Sequence, residues 1–242
     1  MSTSAHRLRR PSPPARLMAC TIALAALASA GCGGGHRLAE FSFTNRTMAL
    51  VYVAPPAPGL RIGGYDLRRT DDLAALVVRA GSGVAKEVEA RRARTRLDSA
   101  TGRIDMTEAL ARRTLERTSR YLGLRPVTSP SEADYLREVH LRSYGLDARG
   151  QSAAYLYTNA EAVLLDRRTG HEIWNVTVRG TDRLTPFVRS RDGVPGTLIT
   201  AGTLHLVTVD DFRQALDQLA TFSSTIIADE LRAALRDARR GE

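Results

Sequence analysis

The chain has 242 residues, of which 43% are hydrophobic, 25% charged and 5% aromatic, with a formal net charge of +9 at pH 7. That balance excludes a multi-span membrane protein, and ten prolines and nineteen glycines are too few for a low-complexity chain. The length suits one domain or two.

Residues 1–16 carry Arg7, Arg9, Arg10 and Arg16 with no acid, and the apolar stretch Leu17 to Ala30 follows over fourteen residues. This layout predicts a signal peptide over residues 1–31, because a membrane-spanning helix needs roughly 20 apolar residues. The stretch ends in Ala28-Ser29-Ala30-Gly31-Cys32, and there the chain resembles bacterial lipoproteins. The resemblance implies that Cys32 is acylated and becomes the mature N-terminus. Gly33, in place of Asp, is similar to enterobacterial sorting to the outer membrane and implies the periplasmic face of that membrane. Ala28-Ser29-Ala30 equally fits an ordinary signal peptidase, whose product is a soluble periplasmic or secreted protein. Cysteine usage favours acylation, since cleavage removes Cys20 and leaves Cys32 as a lone thiol in an oxidising compartment. Gly33, Gly34 and Gly35 then open a flexible tether, expected over residues 32–46.

Loss of residues 1–31 takes four of the 35 basic residues and none of the 26 acidic ones, so the mature charge is +5. A moderately basic surface attracts anionic lipid headgroups or acidic partners. Nucleic acid is not an expected partner: Arg91, Arg92, Arg94 and Arg96 alternate with Glu87, Glu89 and Asp98 and lack interleaved aromatics, which reads as a solvated helix face.

Thr47 to Ala54 is a continuous apolar run and predicts a strand buried on both faces. Pro55 to Gly64 reads as a loop. From Asp71 helical spacing places Leu73, Leu76, Val77, Ala80, Val84 and Val88 on one side, with a break at Gly81-Ser82-Gly83. A second helix starts at Asp105, three residues before Glu108, and stops at Gly123. Leu124 to Thr128 is expected as a short strand, followed by a turn at Ser129-Pro130-Ser131.

Tyr135 to Leu146 alternates, with Val139 and Leu141 on one face and Glu138, His140 and Arg142 on the other. Ala154 to Asp166 alternates too, Asp166 to Gly170 turns, and Trp174, Val176 and Val178 again share a face, which predicts a β-meander with one packed and one wet side. Leu184 to Gly202 reads as an irregular excursion and Thr203 to Val209 as a short strand. Asp210 or Asp211 is expected to cap a C-terminal helix with Phe212, Leu216, Leu219, Phe222, Ile226, Ile227, Leu231 and Leu235 along one side, before a fraying charged tail from Arg236. Together these predict an α/β two-layer sandwich: a single domain over residues 47–238, a mixed sheet ending in a β-meander, helices mainly on one face, and a charged tail at 239–242.

Three features carry a wider resemblance. They are the buried strand Met48-Ala49-Leu50-Val51-Tyr52-Val53, the sequence Ala133-Asp134-Tyr135-Leu136 opening a strand, and a hairpin of Leu165-Asp166, Thr169-Gly170 and Ile173-Trp174. In these the chain resembles envelope lipoproteins related to the curli secretion-channel lipoprotein, the penicillin-binding-protein activators and the amino-terminal domain of the Tol translocation protein. The resemblance implies a small adaptor that binds another cell-envelope protein and has no enzymatic activity.

Residue chemistry points the same way. His36, His140, His171 and His205 have no zinc spacing, so no metal is expected, and Gly81 to Lys86 lacks the form of a phosphate loop, so no cofactor is expected. Ser82 and Lys86 are one residue too far apart for the S-x-x-K arrangement. Glu161 lies inside a strand and is expected to pair with Arg179 or Thr177 across the hairpin. Trp174 reads as a core anchor. Tyr155 and Tyr157 share a wet face and form the candidate interface. Two other functions remain open: a carrier holding a lipid or glycan between sheet and C-terminal helix, and a hydrolase of an envelope polymer with paired carboxylates.

Overall fold

Strand β1 (Thr47–Tyr52) runs through the middle of a mixed seven-stranded sheet, parallel to β4 (Arg125–Val127) on one side and to the first half of β5 (Tyr135–Ala148) on the other. A computed structural model describes residues 37–62, 65–67, 84–149, 153–184 and 199–240. The leader, Cys32, the expected helix over 71–83 and most of the 184–202 excursion lie outside them. The described residues belong to one compact unit, His36–Glu242.

After Pro55-Pro56 the chain returns to the same edge of β5 as β2 (Gly59–Ile62), parallel to Gly145–Ala148, and β3 (Tyr65–Leu67) pairs antiparallel with β2. This corrects the loop expected over Pro55 to Gly64. The glycine that suggested a turn serves a close approach instead. A Cβ on Gly145 would stand 1.9 Å from the Gly59 carbonyl oxygen, and one on Gly59 would stand 2.1 Å from Tyr157 Oη. On either side of Arg61, Leu60 and Ile62 point into the core.

The other edge of β5 carries β6 (Tyr155–Asp166) and then β7 (Glu172–Arg183), the antiparallel meander foreseen from alternation. One irregularity changes its phase. A bulge between Leu141 and Ser143 puts Tyr135, Arg137, Val139 and Leu141 on the core side before it, but Tyr144 and Leu146 after it. Asp134 fixes the start of β5 against β1. Its Oδ2 accepts from the Thr47 N–H at 2.8 Å and from Thr47 Oγ1 at 2.9 Å. These bonds from Thr47, aided by Arg46, outweigh burial and hold the Asp134 carboxyl below its ordinary pKa.

Helices α1 (Val84–Thr101), α2 (Met106–Leu122) and α3 (Val209–Arg240) supply the second layer. The cap of α2 is as expected: the Glu108 N–H donates to Asp105 Oδ1 at 2.8 Å, and Gly123 ends the helix in the left-handed region at φ 69°. Neither Asp210 nor Asp211 caps α3. Thr208 does, since the Asp211 N–H donates to Thr208 Oγ1 at 3.1 Å while Asp211 Oδ2 accepts from the Thr208 N–H at 2.9 Å. Helix α3 buries Phe212, Leu216, Leu219, Ile227, Leu231 and Leu235, each worth about 1.5–3 kcal/mol if fully withdrawn from water. Phe222, expected among them, is 45% exposed.

Four further expectations change. Thr203 to Val209 is not a strand, because Ala201–Leu206 forms a 3-10 turn. The tail does not fray at Arg236 but stays helical through Arg240. Residues 37–46 are not free tether: Arg37–Glu40 is a 3-10 turn, Leu38 and Phe43 are buried, and the Phe43 ring lies 5.1 Å from that of Tyr135. Arg94 is not a solvated cation. It is buried, donating from Nε to Asp98 at 2.8 Å and from Nη1 to the Pro58 carbonyl at 2.9 Å, which holds the turn before β2 against α1.

Candidate interaction face

Side chains of β5 to β7 that point away from the helices form a second, water-facing surface. Past the bulge, strand register arranges it in rows. Arg61, Asp147, Tyr155 and Arg183 make one row, Gly59, Gly145, Tyr157 and Thr181 the next, and Ser143, Asn159 and Arg179 the third. Side chains from all three rows line a groove of about 590 Å³.

Tyr155 and Tyr157, the pair singled out from the sequence, are both half-buried in this groove. The Arg61 guanidinium sits 4.8 Å from the centre of the Tyr157 ring, a cation–π geometry that fixes the ring. Asp147 is held by Arg149, whose Nε and Nη2 donate at 2.9 and 2.6 Å, and Arg61 Nη1 lies 3.6 Å away. Burial raises the Asp147 pKa, yet the bonds from Arg149 and the two positive charges outweigh it, so the carboxyl stays below its ordinary value. Arg179 and Arg183, on exposed β7, make no hydrogen bond or ion pair with the described residues. Around the groove the guanidinium groups of Arg61 and Arg149 gather on Asp147, whereas those of Arg179 and Arg183 meet no carboxylate among the described residues. The side-chain oxygen Oδ1 of Asn159 is buried and has no hydrogen-bond partner.

Glu161 stands opposite Thr177 in register, one of the two partners expected across the hairpin, but its carboxylate accepts from Arg142 on the same wet face and not from Arg179. His140 Nε2 lies 3.3 Å from Glu138 Oε2, while His171 and His205 are exposed. Among the described residues no group of three or more His, Cys, Asp or Glu side chains converges as a metal site.

No family model matches this chain, and no curated protein matches it. Solved structures similar to it include a Xanthomonas campestris protein of the DUF330 family, at 15% identity over 79% of this chain and 89% of the other, with a TM-score of 0.35. A candidate lipoprotein from Caulobacter crescentus follows at 14% identity over 52% and 83%, with a TM-score of 0.33. A lipoprotein from Neisseria meningitidis gives 17% identity over 66% and 91%, with a TM-score of 0.22. Scores this low carry no property from those proteins to this one.

Trp174, on the opposite face, is a core residue at 2% exposure. Beside it lies a group that alternation could have flagged and the sequence reading passed over. Arg137 has the parity of Tyr135 and Val139, and it is fully buried between sheet and helices. Its guanidinium carbon lies 5.0 Å from the Trp174 ring centre, and none of its three nitrogens has a hydrogen-bond partner. Burial pushes its pKa down to about 9. The rest of the sheet–helix interface is filled by Leu164, Val178, Phe212, Leu216 and Leu219, all buried.

Among the described residues, no helix is long and apolar enough to cross a membrane.

Proposed function

We propose that the protein is a lipid-anchored, non-enzymatic adaptor at the periplasmic face of the outer membrane, which binds another cell-envelope protein through the open face of β5 to β7. The observation that carries this reading is the groove itself: two half-buried tyrosines, preset by register and by the Arg61 stack, on a face that no described helix covers. Tyrosine gives large contact area at little entropic cost, the composition expected of a binding surface. The leader and Cys32 support membrane residence, since more than one acyl chain on a single cysteine gives stable anchoring without a spanning helix.

The carboxylates here suit binding better than hydrolysis. Asp147 and Glu161 are both engaged by arginine, and the Asp147 pKa is lowered, whereas a glycosidic general acid needs a raised one. A carrier for lipid would need space between sheet and α3, and the packed side chains there favour the adaptor instead.

Two measurements test the reading. Cys32→Ala should move the mature protein from the membrane to the soluble periplasmic fraction, and unchanged membrane partition removes the anchor. A photo-crosslinking residue at Tyr157 should trap an envelope protein in cells, while one at exposed Arg112 on α2 should not. Equal trapping at both positions, or none at Tyr157, refutes the assigned face.

A further inference from the structure

The outer edge of the sheet is β7, twelve residues long, whose only strand partner among the described residues is β6. On its water-facing side Asn175, Thr177, Arg179, Thr181 and Arg183 alternate, all exposed. Arg179 and Arg183 stand four residues apart, which in extended chain is about 13 Å. Neither is neutralised by a described carboxylate. The nearest acid in the groove, Asp147, is already bound by Arg149 and near Arg61. Among the described residues, a row of unpaired backbone groups therefore lies beside two positive charges without a carboxylate partner at a fixed spacing. An extended polypeptide can add to such an edge through its main chain and place every second side chain along one face.

We propose that the β7 edge and the adjoining groove dock an extended acidic segment of the partner polypeptide, with carboxylates four residues apart seated on Arg179 and Arg183. This rests on the adaptor reading above and gives it a partner chemistry. The segment's backbone supplies N–H and C=O groups to β7, and its carboxylates accept charge-assisted bonds from the two guanidinium groups. The guanidinium groups of Arg179 and Arg183, unmatched by any carboxylate among the described residues, steer an acidic chain towards this edge in preference to the balanced half of the face, where Arg142 is matched by Glu161.

The test uses the full acylated chain in detergent and a fluorescent peptide with two glutamates four residues apart in a Thr-rich strand sequence, read by anisotropy. Controls are the same peptide with both glutamates replaced by Gln, and an isomer with the glutamates adjacent. The spaced acidic peptide should bind, weaken as salt is raised, and lose about tenfold in affinity in Arg179→Glu/Arg183→Glu. The Gln peptide and the adjacent isomer should bind more weakly. Equal binding of all three peptides, or tighter binding of a uronic-acid oligosaccharide, overturns the proposal. If the arginines only guard an exposed edge, Arg179→Thr/Arg183→Thr will self-associate and the wild-type chain will bind no peptide, which also overturns it. Crosslinks from Tyr157 that survive the double reversal in cells leave the adaptor reading standing while this inference falls. Absence of any Tyr157 crosslink removes the adaptor reading itself.

Discussion

Replacing Arg137 by methionine should stabilise the protein. The side chain is fully buried with no hydrogen bond from any of its nitrogens, and only the Trp174 ring, 5.0 Å away, meets its charge. Burial pushes its pKa from the ordinary guanidinium range down to about 9, and at about 1.4 kcal/mol for each tenfold change in proton affinity this costs about 5 kcal/mol. The cation–π contact returns about 2 kcal/mol at a desolvated site. Methionine keeps much of the volume and needs no counter-charge, so a net gain of about 3 kcal/mol is expected, within the range seen when buried charges give way to apolar groups. For a domain of this size that is a rise in Tm of about 6–12 °C. The pH dependence carries its own sign. The folded pKa lies below the unfolded one, so the unfolded state binds the extra proton more tightly. The penalty is fully present below pH 9 and fades as pH rises above it. Denaturant melts of wild type and Arg137→Met should therefore differ most near neutral pH and converge above pH 9. A variant less stable than wild type at neutral pH, or a gap that widens with pH, would refute the reasoning.

Three more expectations follow from the fold. Gly145→Ala should cost about 3 kcal/mol or more and reduce soluble yield, because its Cβ would stand 1.9 Å from the Gly59 carbonyl oxygen and neither backbone can withdraw without breaking the β2–β5 pairing. Asp105→Ala and Thr208→Ala should each lose about 1 kcal/mol in urea melts by leaving the first turns of α2 and α3 uncapped, with the two losses adding. Asp134→Asn should flatten the acid limb of the stability profile. The folded pKa of Asp134 is below its ordinary 3.8, so its contribution is present above that value and is lost as pH falls through the folded pKa, and a variant with unchanged acid sensitivity would contradict this.

The sequence alone determined whatever depends on near neighbours. Alternation placed Tyr155 and Tyr157 on one face of β6 and Trp174 with Val178 on the packed face of β7, since a strand has a period of two whatever it packs against, although a register shift between Leu164 and Leu165 buries Ile173 as well as Trp174. The Asp105 and Gly123 signals fixed α2 for the same reason, a capping bond spans three residues. Tertiary structure decided the cases in which distant segments meet. Gly59 looks like a loop residue until Gly145 and Tyr157 crowd it, and Arg94 looks solvated until the Pro58 carbonyl reaches it. Arg142, placed on the wet face by alternation, takes the Glu161 carboxylate because β5 and β6 lie side by side, and the bulge that reverses the phase of β5 after Leu141 has no local pattern to announce it. The positive surplus beside the tyrosines is of this second kind. It arises because β2, β5 and β7, far apart in the chain, bring Arg61, Arg149, Arg179 and Arg183 to one surface, and charge summed along a sequence says nothing about where it gathers.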